Sequence, residues 1–362
     1  MKITALAWKE TDGTTMSEPH LIRGGYQSHL SLLRIVATVS IVWLHTCSTL
    51  AKNPDVFIMS DRQHRFLSAG YQMMQWAVPV FFMITGALLL DPRKKISVHD
   101  CWKKYLARIL LALVIFGIPF AMLRLVMETG DISVRLIPLS IKAVLENQSL
   151  SHLWYLYTLI GIYLALPVLR SFAKRAYKAE LQTVFIALII IDFVVPTVNA
   201  VTGLKIAFNM PLSYPLFYLL AGYYLNKLET KRYEKMAGIC VAVILAGIWI
   251  LNYKFADAAD LTHYNSPLIA ALAVAVFIAS KRLKVSDEQR ERIWKIDRMC
   301  FGVYLIHPVF IQFFYRFLKI TPMKAGAGYA LAGLGLWVAF TFAAFAGSYV
   351  LGLIKPLKKY VL

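Results

Sequence analysis

Ten apolar runs, each close to the length that crosses a bilayer, follow one another along the chain. They lie near 30–50, 69–90, 105–127, 151–170, 181–198, 210–227, 236–253, 264–280, 299–318 and 327–354. A helix rises about 1.5 Å per residue, so roughly 20 residues cover a hydrocarbon core of about 30 Å. The expected fold is therefore all-α and integral to the membrane, with about ten transmembrane helices. Residues 29–362 form one membrane domain on this reading. Residues 1–28 are polar and irregular, lack the charged-then-apolar-then-small order of a signal peptide, and are expected to be a cytoplasmic tail.

Composition closes off the soluble alternatives. Hydrophobic residues fill 59% of the 362 positions and charged ones only 16%, whereas a soluble domain has about 25% charged residues. A net charge of +19 would suit a nucleic-acid partner. The basic residues, however, sit in short segments between apolar runs, with no basic groove or nucleic-acid module around them. They read as the positive flanks of membrane helices. The partner they imply is the lipid bilayer.

Their distribution also orients the chain. With the N-terminus inside, alternate segments collect 27 of the 39 Lys and Arg residues and the opposite segments 9. Positive charge favours the cytoplasmic side, so both termini are expected there. Cys47, Cys101, Cys240 and Cys300 are widely spaced and form neither a CxxC pair nor a zinc pattern. Cys47 stands two residues from His45, on nearly the opposite helix face, so no Cys/His nucleophile pair is expected from them. The four read as small apolar fillers, and no metal is expected.

Ionisable groups within apolar runs are costly and therefore informative. The first run, SLLRIVATVSIVWLHTCSTL, holds Arg34 and His45 eleven residues apart. That spacing is three turns, placing both on one face about 20° out of line and roughly 16 Å apart along the axis. Two readings stand: a functional polar stripe, or a snorkelling Arg34 with His45 bonded to a neighbouring helix. His307 precedes Pro308 in FGVYLIHPVF, and His152 opens HLWYLYTLIGIYL; each is a candidate for a catalytic or a structural role. Trp154, Tyr155 and Tyr157 suit an interfacial aromatic belt. Asp192 is the one carboxylate within these runs, with Arg124 and Arg316 as candidate partners. No GxSxG, HExxH or Walker A pattern occurs. The pairs Gly326/Gly328 and Gly333/Gly335 read as small residues that permit close helix packing.

These residues, taken together, resemble the membrane acyltransferase-3 family, which includes bacterial O-acetyltransferases of surface polysaccharides. The resemblance spans 30–354 and rests on LLRIVATVSIVWLH, VPVFFMITGALLL (78–90), HLWYLYTLIGIYLALPVL (152–169) and FGVYLIHPVF (301–310), in that order. It is closest to the stand-alone members. Where the family carries an Arg-x-x-Arg element before its third helix, this chain reads CWKKYLARI, keeping the charge in Lys103, Lys104 and Arg108 but not the spacing.

The resemblance implies a bacterial inner-membrane enzyme that transfers an acyl group, acetyl in the first instance, from cytoplasmic acyl-CoA to a hydroxyl. The acceptor would be a surface polysaccharide or its lipid-linked precursor. Arg34, with Lys103, Lys104 and Arg108, would meet the donor phosphates. His45 would act as general base or carry the acyl group covalently. The rival class is a transporter or flippase for a sugar or lipid-linked saccharide, which the shortage of buried carboxylates disfavours.

Overall fold

The computed structural model describes residues 27–207, 213–255 and 261–362. The expected 1–28 tail lies outside these except for its last two residues, as do residues 210–212 of the sixth expected span. All regular structure among the described residues is helical.

Helix α1 spans Ser28–Ala51, followed by α2, Asp61–Met73, and α3, Ala77–Leu89. The second expected span is thus two helices, because the chain breaks at 74–76, where Gln75 is fully buried. Helix α2 starts earlier than hydropathy suggests because Ser60 caps it. The Ser60 hydroxyl accepts the Gln63 N–H at 3.4 Å, and the Gln63 side chain accepts the Ser60 N–H at 2.8 Å. Helix α4, Val98–Thr129, contains a π-helical turn at Cys101–Leu106 and ends on Gly130 with φ +71°. A left-handed residue after a helix is a position that glycine takes without strain.

Helix α5, Leu136–Leu145, is short and was not expected. Helix α6, Ser151–Arg175, opens with a 3-10 turn, and α7, Ala179–Thr202, carries a second π-helical turn at Ile190–Val194. Then follow α8, Ser213–Lys227; α9, Glu234–Lys254; and α10, Pro267–Ser280. Helix α11, Asp287–Phe317, precedes a 3-10 stretch at Pro322–Gly328, α12 at Tyr329–Leu353, and α13 at Lys355–Tyr360.

Eight helical segments among the described residues are long and apolar enough to cross a membrane. The sixth and eighth expected spans are present as α8 and α10, with 15 and 14 residues. At about 1.5 Å per residue they reach roughly 21–23 Å, short of a full hydrocarbon core. The protein is an all-α, multi-pass membrane protein.

Close approach of backbones fixes the middle of the bundle. Helices α3 and α8 meet through two glycines. A Cβ on Gly86 would stand 1.8 Å from the Leu219 carbonyl oxygen, and one on Gly222 2.0 Å from that of Met83. Helices α11 and α12 also come close at a glycine, where a Cβ on Gly302 would lie 2.3 Å from the Ser348 side-chain oxygen. The expected packing glycines were others. A Cβ added to Gly326, Gly328 or Gly335 would meet nothing within 4 Å, and one on Gly333 only Pro322 Cβ at 3.9 Å. Gly326 serves the backbone instead, with φ +55° in the 3-10 stretch.

Candidate active site

The site is assembled from α1, α6 and α11, and its key dipeptide is His307-Pro308. Proline has no N–H, so the carbonyl four residues earlier, that of Tyr304, loses its helical partner. The His307 ring supplies a substitute: Nδ1 lies 2.9 Å from the Tyr304 carbonyl and 3.0 Å from that of Val303. A carbonyl only accepts, so Nδ1 carries the proton and Nε2 holds the lone pair. Nε2 is buried without a hydrogen-bond partner, and His307 as a whole is 0% exposed.

His152 sits in the 3-10 turn that opens α6 and is 3% exposed. Its Nε2 donates to the Leu305 carbonyl at 3.2 Å, while the Tyr304 hydroxyl donates to the His152 carbonyl at 2.7 Å. Two hydrogen bonds thus bind the start of α6 to the middle of α11. By the same reasoning Nδ1 of His152 is the nitrogen left free to accept. His45, from α1, completes the group. Its ring centroid is 5.1 Å from that of His307 and 6.3 Å from that of His152, and the latter two are 5.6 Å apart. Three histidines scattered over 263 positions of sequence meet in one place. They do not converge as metal ligands; no group of three His, Cys, Asp or Glu among the described residues does.

His45 and His152 face a cavity of about 520 Å³, and Arg34 lines the same cavity. The α1 stripe is therefore one wall of a single chamber. Arg34 Nη1 contacts both carboxylate oxygens of Asp297, at 2.5 and 2.7 Å, and the Ser31 hydroxyl donates to the same carboxylate at 2.8 Å. Asp297 was absent from the sequence reading because it precedes the apolar part of α11. The ten residues from Asp297 to His307 nevertheless parallel the eleven from Arg34 to His45, and that parallel is the signal that was available.

Arg108 also lines the cavity. Its guanidinium donates to the carbonyls of Val361 at 2.7 Å and Leu362 at 2.6 Å and lies over the Phe301 ring. Lys103 and Lys104 are exposed and lie outside the cavity wall. The π-helical turn that contains them brings Tyr105 to the cavity and turns the lysines away. Trp154 and Tyr155, read as an interfacial belt, line the cavity, while the Tyr157 hydroxyl donates to the Val144 carbonyl. Trp154 stacks on Tyr264, another wall residue, with centroids 5.6 Å apart.

Asp192 accepts from Ser213, and Arg124 pairs with Glu128 at 3.0 Å, so Arg124 is not the partner of Asp192. Cys47 and Cys101 are buried. Cys300 is buried at the cavity wall with its thiol 3.6 Å from the Ile296 carbonyl.

A bundle of apolar helices enclosing a largely apolar chamber, with an Arg–Asp pair at one place and imidazoles at another, makes a polytopic membrane protein with an internal site. Comparison of the chain with known families identifies which. Residues 28–353 match the acyltransferase domain of the acyltransferase-3 family, and the chain belongs to it. The protein is a membrane acyltransferase. No curated protein and no solved structure matches the chain.

Proposed function

We propose that this acyltransferase moves an acyl group, acetyl in the first instance, from acyl-CoA to a hydroxyl of a surface carbohydrate or its lipid-linked precursor. The observation that carries this reading is the meeting of His45, His152 and His307 beside a cavity that Arg34 also lines. Arg34 and His45 stand about 16 Å apart along α1, a separation suited to the pantetheine arm of a CoA thioester. The phosphates would stay at the cytoplasmic end and the thioester would reach the imidazoles. Trp154 and Tyr264 offer aromatic faces suited to the C–H face of a sugar ring.

In the reaction, the acceptor oxygen attacks the thioester carbonyl and His45 takes the hydroxyl proton. The C–S bond then breaks, the acyl C–O bond is complete, and the proton passes to the CoA sulfur. Histidine suits this exchange because its ordinary pKa lies near neutrality. His307 is the positioning residue: its tautomer is set by the Tyr304 and Val303 carbonyls, and its free lone pair is available to orient the His45 ring. The Lys/Arg distribution supports cytoplasmic termini, which in a bacterial inner membrane would let the donor enter from the cytoplasm.

The test incubates membranes containing the protein with acetyl-CoA labelled in the acetyl group and isolates the glycan. Label on the glycan that requires His45 is the expected result. Saccharide movement across vesicles without covalent label would replace the acyltransfer reading with that of a carrier.

A further inference from the structure

A second cleft, of about 450 Å³, lies between the 92–98 segment and the C-terminal turns of α6. Four cations line it, Lys94, Lys95, Arg170 and Lys174, and no Asp or Glu does. The two carboxylates nearest in sequence are engaged: Asp91 accepts from the Arg93 guanidinium at 2.8 and 3.0 Å, and Asp100 from the Ser97 N–H and hydroxyl at 2.9 and 2.7 Å. Arg170 builds the cleft rather than standing free in it. It donates to the carbonyls of Leu89 and Lys94, the latter at 2.6 Å, and so folds the 89–95 backbone around itself. Among the described residues Lys94, Lys95 and Lys174 form no ion pair. Lys94 is half-buried, and burial lowers its pKa against the attraction of Asp91, with lesser repulsion from Arg34, Arg170 and Arg93. Four cations thus face the cleft with no carboxylate among its lining residues.

The cleft adjoins the membrane cavity. Leu89, whose carbonyl Arg170 holds, lines the cavity. Tyr105 lines the cavity too, while Cys101, one turn earlier on α4, lines the cleft. The two spaces share this wall.

We propose that this cleft is the anchoring site for the phosphorylated nucleotide end of the CoA donor, with Lys95 and Lys174 contacting phosphate and Arg170 shaping the loop. The assignment rests on the acyl-CoA reading and moves the main phosphate contacts away from Arg34, whose charge Asp297 already balances. An anionic lipid headgroup offers the same phosphate chemistry, so the experiment separates the two sources.

The full chain is reconstituted in phosphatidylcholine nanodiscs, and CoA binding is measured for the parent and for Lys95→Ala, Lys174→Ala and the double variant. Both lysines are exposed, so folding is retained, and Lys→Arg versions serve as the rescue. Exposed single charges each contribute modestly, so the double variant is expected to bind CoA about tenfold more weakly. Its affinity should also depend less on salt, and pantetheine, which lacks phosphate, should bind parent and variant alike. Parent and double variant binding CoA equally would overturn the assignment. So would lysine-dependent retention of phosphatidylglycerol, read by native mass spectrometry, with unchanged CoA affinity; that result makes the cleft a lipid site. Absence of CoA binding to the parent would overturn the donor reading itself, and this proposal with it.

Discussion

His307 takes its character from Pro308, which frees the Tyr304 carbonyl that His307 Nδ1 then occupies. The consequence is kinetic. Replacing His45 by Ala should lower kcat by about 10²–10⁴, the usual weight of a general base, with unchanged accumulation in membranes by immunoblot. Replacing His307 by Phe keeps the volume and removes the lone pair. It should lower kcat at least several-fold with little change in the KM for acyl-CoA, because positioning acts in the transition state. A matching rise in KM would instead mark His307 as a donor contact.

Arg34 and Asp297 require a different design, because removing one member of a partly buried pair strands the other. Arg34→Ala should lower the melting temperature in detergent, the penalty for breaking a buried pair reaching about 3–5 kcal/mol. Removing both charges, as Arg34→Ala with Asp297→Ala, should restore part of that loss. If the double variant melts no higher than the single, the pair does not govern the stability of this site. The first-run alignment of Arg34 and His45 was legible from spacing alone. Asp297 was not, because a search for charges inside apolar runs stops where hydropathy stops, whereas α11 begins at the Ser286 cap.

At the scale of elements, the two glycines between α3 and α8 set how near those helices come. Gly222→Ala places a methyl group 2.0 Å from a backbone oxygen that cannot rotate away. The expected cost is about 1–3 kcal/mol or more, as for overpacked cores, read as a lower melting temperature and reduced yield. Gly247→Ala, in α9 with nothing within 4 Å of the added Cβ, is the control and should leave the melting temperature unchanged or raise it slightly. Equal effects at both positions would refute the close-contact account. Sequence alone favours the glycine pairs at and just before the start of the last span, Gly326/Gly328 and Gly333/Gly335. It missed Gly86 and Gly222 because each stands singly in its helix, and closeness between helices is a property of two segments at once. The 3-10 turn at His152 and the π-helical turn at Tyr105 were hidden for a similar reason. Both redirect side chains by a fraction of a turn, which a uniform 100° period cannot represent.

For the molecule as a whole, the sidedness of the basic segments makes a prediction independent of chemistry. Reporter fusions at Lys95 and Leu362 should read as cytoplasmic, and one at Arg135 in the turn between α4 and α5 as external. A cytoplasmic signal at Arg135 would reverse the assignment of that turn. The order of apolar runs in the sequence anticipated most of the bundle, since lipid forces backbone hydrogen bonds to close within each helix. The chamber inside the bundle was not anticipated, because its walls come from helices that are neighbours only after packing.

That chamber makes the protein a thin place in an electrical insulator. A membrane that holds an ion gradient stores energy, and a hollow of about 520 Å³ shortens the path an ion must cross. Beside it the structure sets histidine rings of which two are almost wholly enclosed by protein, and it balances the Arg34 guanidinium against the Asp297 carboxylate. A wall of this kind offers an ion few free charges to follow across the membrane. On the proposed reading, the arrangement that brings donor and acceptor together must also keep the membrane from discharging through its own enzyme.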